Sequence, residues 1–150
     1  MRSSRPRIVV LVGLPGSGKS TYLARLGSPA LCSDAIRRLL ADDEEDQTIH
    51  GRVFATIRYL LRQRVAIGRP VTYVDATHLT PAERAPYVRI ARRYGCEVEA
   101  LFFDVPLQVC KERNRRRRRV VSEEVMDRMA GRLVPPSAAE GFSRVRTIRP

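Results

Sequence analysis

Lysine is almost missing from this chain. Among 28 Lys and Arg side chains only Lys19 and Lys111 are lysines, so a formal net charge of +12 is carried by arginine. Such a surface favours polyanions: nucleic acid, anionic membrane or nucleotide. Genome composition alone can also bias a chain toward arginine, so the charge is a weak hint by itself. Cysteine is scarce too. Cys32, Cys96 and Cys110 are odd in number and form no C-x-x-C pair. That excludes a disulfide framework and a structural zinc site, and it fits a reducing cytoplasm. All three read as small core residues. No apolar run approaches the roughly 18 residues of a membrane span, so no membrane partner is expected. The basic start "MRSSRPR" is followed by an apolar run too short for a signal peptide. With no repeat and no long linker, the 150 residues are expected to form one domain around one core.

What is present is an alternation of strand-like and helix-like segments. "RIVVLVG" (7–13) is a continuous apolar run, the pattern of a strand buried on both faces. A helix follows from Lys19 to about Leu26, then a short strand "PALCS" (29–33) and a helix "DAIRRLLA" (34–41). The spacing of Ile49, Val53, Ile57, Leu60, Leu61 and Val65 predicts a helix over 48–65, capped by Gly68. "VTYVDA" (71–76) is a third strand. Thr80, Pro81 and Glu83 then form the start of a helix, read as a capping box, that stops at Gly95. "VEALFFDV" (98–105) is a fourth strand, with helices over 106–113 and 122–133 and a last strand over 142–148. This order predicts an α/β fold: a parallel sheet with helices on both faces.

One stretch carries chemistry. "GLPGSGKST" places Gly13-x-x-x-x-Gly18-Lys19-Ser20 after a strand and before a helix, the context of a P-loop. Gly13, Pro15, Gly16, Ser17 and Gly18 form the loop, whose backbone N–H groups turn toward phosphate oxygens beside a positive helix end. Lys19 is expected to reach the β- and γ-phosphates of ATP, Ser20 to bind Mg²⁺ and Thr21 to contact the α-phosphate. A P-loop does not by itself separate kinase from ATPase or GTPase.

Ligands of open parallel sheets sit beyond the carboxyl ends of the strands. The second strand ends at "CSDAIRR", where Asp34 and Arg37 share a helix face. There Asp34 can accept a proton from an attacking hydroxyl, and Arg37 can hold an anionic group on the same acceptor. The bland alternative is that Asp34 or Ser33 caps the helix. The third strand ends at "VDATH", where Asp75 can orient the magnesium shell through water or simply cap a turn. The run "KERNRRRRRVV" (111–121) is either a solvated face, a nucleic-acid patch, or a lid whose guanidinium groups close over phosphates in the transition state.

Together, "GLPGSGKST", "SDAIRRLLADDEEDQT", "YVDATHLTPAERAPY", "FFDVPLQVCKERN" and the closing "EGF" resemble the kinase domain of bacterial polynucleotide kinase-phosphatases, the RNA-repair end-healing enzymes. Phage polynucleotide 5′-kinase looks like a more distant relative. The resemblance runs from about residue 7 to about residue 148. It implies a P-loop kinase fold with an arginine-rich lid over about 113–133, and transfer of the ATP γ-phosphate to a 5′-hydroxyl of RNA or DNA. By the resemblance Lys19, Asp34, Arg37 and Arg117 are catalytic, with Asp34 the general base. Arg113 and Arg117 engage ATP, with Arg116 and Arg118 as alternative registers for the lid residue. Gln47 and Thr48 border the acceptor site. The family's best-known members carry phosphatase and ligase domains on the same chain, so this kinase is expected either to act alone, with separate phosphatase or ligase proteins as partners, or to be an excised or split module. Two rivals stay open: a small-molecule kinase acting on a sugar, an antibiotic or a nucleotide-sugar, and a nucleotide-binding ATPase module without an acceptor.

Overall fold

The computed structural model describes residues 5–150; the first residues of the basic start, 1–4, lie outside the described residues. The elements run β1 (Arg7–Val12), α1 (Lys19–Leu26), β2 (Ala30–Cys32), α2 (Ser33–Ala41), α3 (His50–Ile67), β3 (Val71–Asp75), α4 (Pro81–Tyr94), β4 (Glu97–Phe103), α5 (Leu107–Arg115), α6 (Glu123–Arg132) and β5 (Arg144–Ile148). All the strand pairs are parallel, in the order β2-β3-β1-β4-β5. The central strand β1 is thus flanked by β3 and β4, whose connection crosses it. The crevice for a ligand opens at such a reversal of strand order.

Alternation along β1 feeds two cores. Ile8, Val10 and Val12 point to the face covered by α2, α3 and α4, where Ile36, Val53, Ile57, Leu61 and Tyr87 are buried. Val9 and Leu11 point to the other face, against Leu23 of α1 and Phe103. A third cluster joins Leu14, Leu79 and Val105 to Cys110 of α5 and Met126 of α6, across the carboxyl end of the sheet. The two helices flanking the arginine run are thereby fastened beside the glycine loop.

Several boundaries differ from the sequence reading, each for a local reason. The helix expected over 48–65 begins as a 3-10 turn, Gln47–Ile49, because the Asp46 side chain accepts the Thr48 N–H at 2.8 Å; the α-helix starts at His50. The helix expected to end at 113 continues to Arg115. At α4, Thr80 caps as expected, accepting from the Glu83 N–H at 3.3 Å. Glu83 does not close the box onto Thr80: it accepts the Leu79 N–H at 3.1 Å and the Arg132 guanidinium at 2.6 Å. Cys96 and Cys110 are buried, but Cys32 is half-buried at the end of an edge strand rather than in the core.

Arg84 is the largest wholly buried side chain described, and nothing in the residue pattern signals it. Its Nε and Nη2 donate to the two carboxylate oxygens of Glu140, both at 2.9 Å, and its Nη1 donates to the His78 carbonyl at 2.7 Å. This fork ties α4 to the turn before β5. Arg84→Met should lower unfolding free energy by about 3–5 kcal/mol, because Glu140 is left charged and unpaired. A urea titration checks this, and Arg84→Met with Glu140→Gln should recover much of the loss.

Candidate active site

The loop after β1 packs against the start of the lid. Gly16 has φ 82°, and a Cβ there would lie 2.5 Å from the Cys110 carbonyl oxygen; Gly18 has φ 102°. Both positions therefore demand glycine. Gly18 is also the N-cap of α1 and offers its first-turn N–H groups no side-chain acceptor. The Lys19 Nζ curls back to donate to the Gly13 and Leu14 carbonyls at 2.8 and 3.0 Å. Burial lowers the Lys19 ammonium below the ordinary lysine range; Asp75 opposes this shift and Arg117 reinforces it. The Ser17 hydroxyl is buried without a hydrogen-bond partner. Turned N–H groups, a buried cation and an orphaned hydroxyl fit a polyphosphate chain.

A cleft of about 1040 Å³ opens over this loop. Its lining brings together Pro15, Gly16, Ser17, Gly18, Lys19, Ser20 and Thr21 with Asp34, Arg37, Gln47, Asp75, Arg113 and Arg117. Gly13 lies below, where its N–H donates to the Thr77 carbonyl at 3.1 Å. Thr48 is exposed and bonded to Asp46, and is not part of the lining.

Asp34 is not spent on capping. The N-cap of α2 is Cys32, and Asp34 sits in the first turn. Its Oδ1 accepts from Arg37 Nη1 and its Oδ2 from Arg119 Nη1, both at 3.3 Å. Arg37 is buried at 4% exposure. Asp75 is buried beside Cys32 at the strand ends, and burial raises its carboxyl above the ordinary range while Lys19 opposes the shift. Ser20 and Asp75, both lining the cleft, would supply oxygen donors of the kind Mg²⁺ takes alongside a nucleotide's own phosphates. Among the described residues no group of three or more His, Cys, Asp or Glu could hold a metal ion, so the phosphates would have to supply ligands.

The arginine run is sorted by position. Asn114, fully buried, donates to the Val121 carbonyl at 2.6 Å and accepts the Val121 N–H at 3.1 Å, closing the base of the loop between them. Arg115 pairs with Glu123 and Arg116 with Glu112. Arg117 faces Lys19 electrostatically, whereas Arg119 reaches Asp34. Arg113 Nη1 would lie 3.6 Å from a Cβ on Gly18.

Two residues escaped the sequence reading. Arg119 contacts Asp34 across 85 positions, which no spacing rule could reveal. His50 lines the cleft with its Nδ1 3.5 Å from Arg37 Nη2, and its ring lies 4.7 Å from that of Phe54. The i, i+4 spacing of His50 and Phe54 was the one available signal.

With strand, loop, helix and cleft in place, comparison with known proteins is direct. A family model described as an AAA domain matches residues 8–136. The chain belongs to the AAA domain family. Among solved structures, this AAA domain is similar to a chain of the Pnkp1/Rnl/Hen1 RNA repair complex, with TM-score 0.71 and 20% identity, over 88% of this chain and 45% of that one. It is also similar to a gluconokinase from Sinorhizobium meliloti 1021, with TM-score 0.60 and 20% identity over 99% and 84% of the two chains. A third is the Mycobacterium tuberculosis APS kinase CysC, in complex with AMPPNP and APS, with TM-score 0.60 and 22% identity over 95% and 88%. The chain spans less than half the length of the repair-complex chains it matches. These likenesses establish the P-loop kinase fold. Among the described residues no helix is long and apolar enough to cross a membrane.

Below the loop, His78 is wholly enclosed. One ring nitrogen meets the Leu11 carbonyl at 2.6 Å and the other the Tyr87 hydroxyl at 3.0 Å. Burial lowers its pKa from 6.5 to about 4. Between those values the unfolded chain binds a proton that the folded chain refuses. The residue's contribution is therefore fully present above pH 6.5, falls through the window, and is lost by about pH 4, a difference of about 3 kcal/mol. Denaturant unfolding across this window should show that slope, and His78→Gln should flatten it.

Proposed function

We propose that this AAA domain is a polynucleotide 5′-hydroxyl kinase. It moves the γ-phosphoryl group of ATP to the 5′-hydroxyl of an RNA or DNA end during nucleic-acid repair in the cytoplasm. Residues 1–150 act as one kinase domain with its lid at about 113–133. One observation carries the reading: Asp34, free of capping duty and flanked by guanidinium groups, lines the same cleft as the buried Lys19. A hydrolase module without an acceptor would have no use for that arrangement. The net charge of +12 supports a polyanionic acceptor.

The loop from Gly13 to Gly18 cradles the phosphates, Lys19 reaches the β- and γ-phosphates, and Thr21 steadies the α-phosphate. Ser20 would hold Mg²⁺ directly and Asp75 through water, and the ion would supply positive charge to the phosphates. Asp34 accepts the proton of the 5′-hydroxyl as its oxygen bonds to the γ-phosphorus, and the bond from that phosphorus to the bridging oxygen breaks to release ADP. Arg37 holds the phosphate on the 3′ side of the first nucleoside. Arg113 and Arg117 neutralise charge on the donor phosphates. Gln47 and Thr48 border the entry of the strand. Separate phosphatase or ligase proteins would prepare and join the ends.

A small-molecule kinase remains the specific rival, because the gluconokinase and APS kinase likenesses cover most of both chains. γ-Labelled ATP offered with 5′-hydroxyl RNA, 5′-hydroxyl DNA and gluconate separates the two. The proposal expects labelled oligonucleotides and a rate that falls steeply with salt; labelled gluconate alone would overturn it. Asp34→Asn should cost about two to four powers of ten in transfer rate with ATP affinity retained.

A further inference from the structure

We propose that Arg119 is an acceptor-binding residue, which exchanges Asp34 for the acceptor's phosphate when a strand enters. This rests on the kinase reading above. The two oxygens of Asp34 are each held by a guanidinium, Arg37 on Oδ1 and Arg119 on Oδ2. Each guanidinium occupies a lone pair that a donating hydroxyl could use, and departure of one leaves that oxygen open to the acceptor. The geometry points to Arg119 as the one that leaves. Arg37 is anchored in α2 with its side chain at 5% exposure, whereas Arg119 stands on the loop between α5 and α6 at 20%.

The site also holds more donors than acceptors. The Nε atoms of Arg37 and Arg119 are both buried with no hydrogen-bond partner. Glu45 forms an ion pair with Arg119 Nε at 4.0 Å, beyond hydrogen-bond reach. Asp34 is shared by two guanidinium groups, and Glu45 meets Arg119 only at the limit of ion-pair distance, so both Nε atoms keep an unused donor within the cleft. A phosphate next to the attacking hydroxyl supplies negative charge and acceptors, and guanidinium forks match its geometry. An uncharged sugar supplies neither. Of the other cleft arginines, Arg116 pairs with Glu112 and Arg149 with Asp104, and Arg117 lies within electrostatic reach of Lys19 and Asp75. Arg119 is thus the lid residue that reports on the acceptor, while Arg117 serves the donor.

The test compares a nucleoside with its 3′-monophosphate as acceptors, in wild type, Arg119→Ala, Arg119→Lys and Arg118→Ala. Arg118 is exposed and outside the cleft lining, and serves as the control. Arg119→Ala should lower the preference for the phosphate-bearing acceptor by about tenfold to a hundredfold, through KM, with the KM for ATP unchanged. Arg119→Lys should recover part, and Arg118→Ala should match wild type. An unchanged preference, an equal loss in kcat on both acceptors, or a raised KM for ATP would overturn the proposal. A second measurement keeps the two readings apart. Nucleoside 3′-monophosphate is titrated calorimetrically into protein loaded with a non-hydrolysable ATP analogue. Weaker binding in Arg119→Ala supports the anion site even if no oligonucleotide is phosphorylated, which would fail the kinase reading alone. Equal binding sinks the anion site even if oligonucleotides are good acceptors.

Discussion

The cleft depends on how β1 and β3 are tied where they end. The Thr77 carbonyl takes the Gly13 N–H, and the His78 ring bridges the Leu11 carbonyl to the Tyr87 hydroxyl. His78 itself sits at φ 46°, a region that favours glycine, and its carbonyl accepts from Arg84 Nη1. Because burial keeps the imidazole neutral, this tie does not change character near neutral pH. It fixes the height at which the glycine loop leaves the sheet, and with it the position of Lys19 relative to Asp75.

Above that tie, the cleft divides its charge between two sides. Lys19, Arg113 and Arg117 stand around the glycine loop, while Arg37 and Arg119 stand around Asp34. One short arginine run serves both sides, because alternate residues of the loop face different neighbours. A dense block of one residue type in sequence is therefore several distinct environments in space. Arg115 and Arg116 are satisfied by nearby acids at the surface, where such pairs add little stability.

Much of this was legible in the residues. β1, β3 and β4 stand out as apolar runs because strands of a parallel sheet are buried on both faces. The glycine loop is a local motif, and Asp34 with Arg37 follows from helical spacing. What escaped reading joins distant parts of the chain. The Arg84–Glu140 fork spans 56 positions and the Arg119–Asp34 contact spans 85. Neither has a local signature, since each depends on how elements stack rather than on how they form. The 3-10 start at Gln47 was hidden for a different reason: the Asp46 side chain competes with the backbone for the Thr48 N–H.

Asn114 has a final consequence. By holding both backbone groups of Val121, it works like a buckle whose strap is the stretch 115–120. The strap's composition is free wherever its residues face water, but its length is not. One residue inserted would swing Arg119 off Asp34 while leaving every arginine in the sequence. Drift at the strap's water-facing positions should be tolerated, and insertion should not.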